Sequence, residues 1–391
     1  MSRYADRIIH YCALILFVIG LAAIFSGYSI PRIVYYGGFE NPPAMWHTLR
    51  PIFFTVGVGF VGLLVYLYLS AGKFPLDWKP NSPRFVNLLT NTTLVLMVFV
   101  VAERYIFHLR FNRWLLGPKH MILITGLVIT AFFIFLAYQF SKEKINYTRL
   151  VVISFLFILL LWKQPDHGTA FLFVAAIALL LYMTSNNKWV IRFFKASISS
   201  VIIVALISVV NSGLNIQIPN IFHSYVIVRI NNWLNPFSDV VNKSYQIANS
   251  LYAVHKGGLL GKGYGFGVRK LYMGATVHTD FIFATIGEEL GFVFSAFIFI
   301  VTLLLLLRLL NLAYRFKSKF ESYFTLLVAL ETFAMALMNA GMAVNLLPSK
   351  GWPYPLISYG PFFLIFYIIQ LGLVQYMVVN RFAEIYGKGR R

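Results

Sequence analysis

Residues 257–291 place three carboxylates beside a basic, glycine-rich segment, at the edge of a long apolar run. The stretch reads G-G-L-L-G-K-G-Y-G-F-G-V-R-K-L-Y-M-G-A-T-V-H-T-D-F-I-F-A-T-I-G-E-E-L-G, with six glycines inside eleven residues. Gly258, Gly261 and Gly263 permit positive φ and a close approach of main chain to a ligand. Lys262 and Lys270 beside them suit an anion such as a phosphate. Asp280 stands where this segment meets the apolar run, with Glu288 and Glu289 two turns further in. A carboxylate at the mouth of a membrane helix is costly to keep, which makes each of the three a functional candidate. His278-x-Asp280 offers two ligands to a metal ion, short of the number that a resident site needs.

Other chemistries are excluded by what the chain lacks. Lys262 is followed by Gly263 rather than Ser or Thr, so the glycine run is no P-loop. No H-E-x-x-H or cysteine-rich cluster occurs, and the single cysteine, Cys12, lies in an apolar run. The net charge of +20 would suit nucleic acid, but the basic residues sit in short clusters between apolar runs, the pattern of membrane-flanking loops. Chemistry therefore falls to carboxylates and cations beside a lipid-accessible cleft.

The elements that position these residues are membrane helices. Of 391 residues, 59% are hydrophobic and 12% charged. About twenty residues cross a hydrocarbon core as a helix. The apolar runs predict spans over residues 8–28, 50–71, 86–107, 119–140, 148–163, 167–184, 194–212, 280–308, 321–344 and 356–379. The predicted class is all-α: one polytopic domain over residues 1–391 with about ten transmembrane helices. One large loop, residues 213–279, joins spans 7 and 8. Lysine and arginine in the short loops favour the side that holds both termini, which puts the termini in the cytoplasm and Asp280 outside. Glu331 and Asn339 lie deep in the ninth span, where a polar group is expected to bond a neighbouring helix.

Several motifs, in a fixed order, resemble one family. They are Gln164-Pro165-Asp166-His167-Gly168-Thr169; Arg229 with Trp233-Leu234-Asn235-Pro236; Ser244-Tyr245-Gln246 with Ser250; and Gly258–Gly265. His278-Thr279-Asp280-Phe281-Ile282-Phe283-Ala284 and Gly287-Glu288-Glu289-Leu290-Gly291 follow. Leu347-Pro348-Ser349-Lys350-Gly351 and Pro355-Leu356-Ile357-Ser358-Tyr359-Gly360 close the set. In this order they resemble the SEDS family of polytopic cell-wall glycosyltransferases, and the Gly-Glu-Glu-Leu-Gly run is closer to its FtsW branch. The chain departs from the family pattern at Gly117-Pro118-Lys119-His120, at Gly274-Ala275-Thr276-Val277 and at Pro361-Phe362-Phe363-Leu364.

The resemblance implies polymerisation of lipid II into glycan strands at the outer face of the bacterial cytoplasmic membrane, in cell division or cell-shape maintenance. A sugar hydroxyl is a poor nucleophile at neutral pH, so a base is expected, and Asp280 is the candidate. The leaving pyrophosphate calls for cations or a divalent metal, Mg or Mn, with Asp280 as a metal ligand. Arg229, Lys262, Lys270 and Lys350 are the expected cations. Gly258, Gly261, Gly263, His278 and Ser358 are expected around the headgroup, and Asp166, Glu288 and Glu289 are secondary carboxylates. The expected partners are lipid II, membrane lipids and a class B penicillin-binding protein with transpeptidase activity. Blander readings compete: Asp280 as a helix cap, Asp166 as a turn former, the glutamates as helix packing and the glycines as a connector. A flippase for lipid-linked precursors and a non-catalytic scaffold are the other function classes.

Overall fold

A computed structural model describes residues 5–29, 42–74, 79–106, 114–115, 122–164, 166–185, 192, 225–240, 244–349 and 351–387. Among these residues, nine of the ten expected spans coincide with helices; the stretch 194–212 lies outside them. Seven helices are long and apolar enough to cross a membrane, and Thr125–Ser141 is a shorter apolar one. The chain is a multi-pass, almost wholly helical membrane protein. Among the described residues one ladder occurs, pairing Trp114–Leu115 with Ile122–Leu123. That ladder takes the start of the fourth expected span, 119–140, and the helix begins at Thr125.

Helix α4 (Thr125–Ser141) forms the centre. It is apolar all round, the pattern of a helix enclosed by others, and most of its residues are buried. It packs against α3 (Pro83–Ile106), α6 (His167–Thr184), α10 (Lys319–Ala343) and α11 (Pro361–Asn380). Phe132 of α4 stacks on Phe173 of α6 at 3.9 Å between ring centroids. Helix α5 (Tyr147–Lys163) pairs with α6, and α2 (Pro42–Ser70) lies along α11. Three of these helices start at side-chain caps. Asp6 accepts from Ile8 and Ile9 N–H at α1 (Arg7–Ile24), Asn146 serves α5 and Asp166 serves α6.

The expected loop 213–279 is largely structured where it is described. It contains α7 (Tyr225–Leu234), α8 (Tyr245–Gly257) and two short 3₁₀ turns. Helix α9 (Ile282–Arg315) follows and packs on α8, α10 and α1. It breaks at Gly291, whose φ of 76° and ψ of −174° are not helical. At its C-terminal end α1 runs into a wide π turn, Phe25–Ser29. At the opposite end Asp6 pairs with Arg308 and accepts from Tyr386. That contact ties α1 to α9 and to the short α12 (Phe382–Tyr386).

Candidate active site

Asp280 is half-buried, two residues ahead of the first turn of α9. Its main chain is fixed from two directions. Asn339 of α10 donates through Nδ2 to the Asp280 carbonyl at 2.9 Å and to the Trp352 carbonyl at 2.7 Å. Ser358 donates through Oγ to the Thr279 carbonyl at 2.7 Å and accepts from the Tyr354 N–H at 2.7 Å. Tyr359 N–H donates to the His278 carbonyl at 2.8 Å. The segment 351–360 is thus stapled to the His278-Thr279-Asp280 run. The same segment is pressed against α1, where a Cβ at Gly20 would overlap the backbone of Leu356 and Ile357.

Gly351 explains how the carboxylate is approached. A Cβ there would overlap Oδ2 of Asp280, so glycine is what lets the backbone at 351 lie against the carboxylate. Arg229 of α7 donates to the Ser349 carbonyl, two residues before it. Its helix is held there by Trp233, which donates to the Asn345 carbonyl at 3.1 Å, while Asn345 Nδ2 donates back at 3.0 Å. The structure therefore links Arg229 to Ser349, sets Gly351 against Asp280 and ties Ser358 to the neighbouring Thr279. Lys350 itself lies outside the described residues. His278 is buried, its ring between Tyr28 at 4.7 Å and Tyr359 at 5.2 Å.

The glycine-rich segment meets a different group. It wraps the Gly-Glu-Glu-Leu-Gly run of α9. Lys262 N–H donates to the Glu288 carbonyl at 3.0 Å and Gly263 N–H to the Glu289 carbonyl at 2.9 Å. Past the helix break, Phe292 and Val293 N–H donate to the carbonyls of Gly258 and Leu259. Gly258, Gly261 and Gly263 have φ of 57°, 79° and 99°. At Gly261 the approach is also close, since a Cβ would overlap the Glu289 carbonyl.

Both glutamate side chains point into this wrap. Glu288 accepts from Val268 and Arg269 N–H, with Lys262 Nζ 3.6 Å away. Glu289 accepts from Ser26 Oγ at 2.6 Å and Gly265 N–H at 3.1 Å, and pairs with Lys270 at 2.5 Å. Lys270 also donates to Ser26 Oγ at 2.8 Å and to the Gly265 carbonyl at 2.9 Å. Its three N–H groups are filled and its side chain is 1% exposed. The expected headgroup cation is here one half of a buried ion pair. Lys262, 36% exposed, keeps its end near solvent. Tyr264 donates to the Ala22 carbonyl, and burial followed by the Glu289 carboxylate pushes its phenol above the ordinary value.

Asp166 lies elsewhere in the fold. It caps α6 through the Thr169 N–H and accepts from the hydroxyls of Thr169 and Thr125. For the expected divalent metal, no three His, Cys, Asp or Glu side chains converge among the described residues. The described residues therefore do not by themselves make a metal site at Asp280.

The residue pattern of a family described as cell cycle proteins, FtsW, RodA and SpoVE, matches residues 6–382. The chain belongs to this family. One relative is the probable peptidoglycan glycosyltransferase FtsW of Buchnera aphidicola subsp. Baizongia pistaciae, 28% identical over 92% of this chain and 90% of its own. Another is the probable peptidoglycan glycosyltransferase FtsW of Trichlorobacter lovleyi, 26% identical over 92% of this chain and 91% of its own. Among solved structures, a peptidoglycan synthase complex contains a similar chain. Its TM-score is 0.66 and its identity 19%, over 97% of this chain and 99% of that one. RodA of Thermus thermophilus is similar at a TM-score of 0.60 and 19% identity, over 97% and 98%. These two likenesses establish the SEDS fold.

Sequence reasoning missed several residues of this corner. Asn339 carries a generic expectation of helix bonding, yet it clamps the backbone at Asp280. Ser26, Gly27 and Tyr28 follow the first apolar run as an unremarkable S-G-Y. Ser26 reaches Glu289, Tyr28 flanks His278, and a Cβ at Gly27 would meet the His278 backbone at 3.8 Å.

Proposed function

We propose that this chain is a peptidoglycan glycosyltransferase that polymerises lipid II, with Asp280 as general base. The observation that carries the reading is the Asp280 corner. A carboxylate at the mouth of an apolar helix has its own backbone held by Asn339 and the preceding carbonyl by Ser358, Gly351 lies against it, and Arg229 bonds the nearby Ser349 carbonyl. Rigid placement of this kind is what proton transfer in a transition state requires. The proton of the acceptor sugar hydroxyl passes to the Asp280 carboxylate as the new glycosidic bond forms. The bond from the donor sugar to its pyrophosphate breaks, and the pyrophosphate leaves on its undecaprenyl chain. Arg229 and Lys350 are the cations assigned to the leaving charge, and Lys262 is a third at the loop.

In this reading the corner faces the outside of the bacterial cytoplasmic membrane and both termini are cytoplasmic. The described residues hold no second catalytic fold, so peptide cross-linking is assigned to a class B penicillin-binding protein as partner. The relatives named as peptidoglycan glycosyltransferases and the synthase-complex neighbour support this assignment. The test is polymerisation of purified lipid II, with and without that partner. Asp280→Asn keeps size but cannot take the proton, and is expected to lose about 10²–10⁴ in rate at an unchanged membrane level. A well-folded Asp280→Asn that polymerises at the wild-type rate overturns the assignment of the base.

A further inference from the structure

Glu331, in the middle of α10, is fully buried, and neither of its carboxylate oxygens has a hydrogen-bond partner. Glu288 and Glu289 are as deeply buried, but each accepts from several donors. The polar group that faces Glu331 is the Gln370 carboxamide of α11, also fully buried. Gln370 Nε2 donates to Thr130 Oγ1 of α4 at 3.0 Å, while Gln370 Oε1 has no donor. Thr130 Oγ1 lies 2.8 Å from the Gly126 carbonyl oxygen. Two oxygens that close need a proton between them, so the threonine donates there and only accepts from Gln370. This fixes the carboxamide with its nitrogen toward Thr130 and leaves its oxygen as an acceptor. Three buried acceptor atoms then remain, two on Glu331 and one on Gln370. The neighbouring titratable side chain, Tyr367, is engaged with the Thr332 hydroxyl.

We propose that Glu331 carries a proton in the folded protein and donates it to Gln370 Oε1. One proton then completes a chain of three donations: Glu331 to Gln370, Gln370 to Thr130, and Thr130 to the Gly126 carbonyl. The chain locks α10 to α11 and α4 at mid-bundle. An intramembrane carboxyl without a counter-charge is costly ionised, whereas a neutral one bonded to an amide is not. Eight residues on, α10 carries Asn339, the clamp on the Asp280 backbone. Glu331 is thereby a positioning residue for that corner, and this last step rests on Asp280 acting as the base.

The test uses the full chain, purified and reconstituted. Infrared spectra of the wild type are expected to show a protonated-carboxyl band that Glu331→Gln removes. No difference between the two spectra in that region overturns the proposal. Glu331→Gln supplies an N–H to Gln370 Oε1, so its melting temperature is expected within a few degrees of wild type and its lipid II polymerisation within about twofold. Glu331→Leu leaves that oxygen without a donor and is expected to lower kcat about tenfold or more, with KM moving less. Rescue by Gln together with loss by Leu supports the proposal. Equal activity in both variants overturns the positioning role. If Glu331→Leu does not fold, the infrared band and Glu331→Gln still decide the protonation. A sodium-specific stabilisation of wild type over choline, absent in Glu331→Gln, assigns the charge to a bound cation and overturns the proton. The infrared and melting measurements stand even if Asp280→Asn is found active.

Discussion

Lys270→Met tests whether the glycine-rich segment is held by the chain's own carboxylate. The Lys270 and Glu289 side chains are 1% and 3% exposed and lie 2.5 Å apart. Removing one partner of such a pair leaves an uncompensated buried charge, which costs about 3–5 kcal/mol. Ser26 Oγ and Gly265 N–H still bond Glu289, so the loss is expected near the lower end, about 3 kcal/mol. Adding Glu289→Gln removes the stranded charge, and the double variant is expected to recover most of the stability. The resulting coupling is roughly 2–3 kcal/mol, within the range for residues in contact. Thermal unfolding of the purified variants in detergent measures it, and limited proteolysis at Arg269 reports whether the segment has come loose. A single variant as stable as wild type, with Arg269 still protected, would refute the reasoning. The double variant also decides between two roles for Lys270. If it is stable and active, the lysine is structural; if it is stable but inactive, the lysine contacts substrate.

Two further substitutions probe the Asp280 corner. Gly351→Ala sets a methyl against Oδ2 of Asp280. It is expected to reach the membrane normally and lose at least about tenfold in polymerisation, since a catalytic group displaced by an ångström costs on the order of a hundredfold; normal turnover would show that the turn yields freely. Asn339→Leu removes the donor to the Asp280 and Trp352 carbonyls. It is expected to cost about 1–3 kcal/mol in stability and to lower activity further than the melting temperature alone explains. Comparing the rate and melting temperature of the two variants separates positioning from general loosening.

Much of the helical frame was legible because a membrane span needs a run of apolar residues and little else. Span ends were less so. The run Met121–Ile124 is apolar enough to read as the start of a helix, yet Ile122–Leu123 pairs with Trp114–Leu115, and no local pattern announces a two-residue ladder. The motif singles out Asp280 and His278, and the structure places both on the run that leads into α9. The glycine-rich segment was legible in chemistry but not in partner. Its glycines and cations do receive anions, and the structure supplies two from the protein itself, Glu288 and Glu289. Spacing along one segment cannot tell an internal carboxylate from a substrate phosphate. The contacts that decide it join residues far apart, as Ser26 joins Glu289 and Arg229 joins Ser349, and a single sequence carries no register between such elements.

The C-terminal end of α1 explains why the two halves of the site belong to one unit. Three successive residues of its π turn serve different walls. Ser26 bonds Glu289 and accepts from Lys270, which anchors the glycine-rich segment. Gly27 lies under the His278 backbone, and the Tyr28 ring meets the His278 ring edge-on. An α-helix separates neighbouring side chains by about 100°, and the wider π turn alters that spacing, a feature found most often at functional sites. The segment wrapped on Glu289 and the run that ends in Asp280 thus share one support. Tyr359 and Ser358 hold the His278-Thr279 backbone through hydrogen bonds from a second segment. The buried pair of Lys270 and Glu289 is linked through α1 to the geometry of the carboxylate proposed to take the proton.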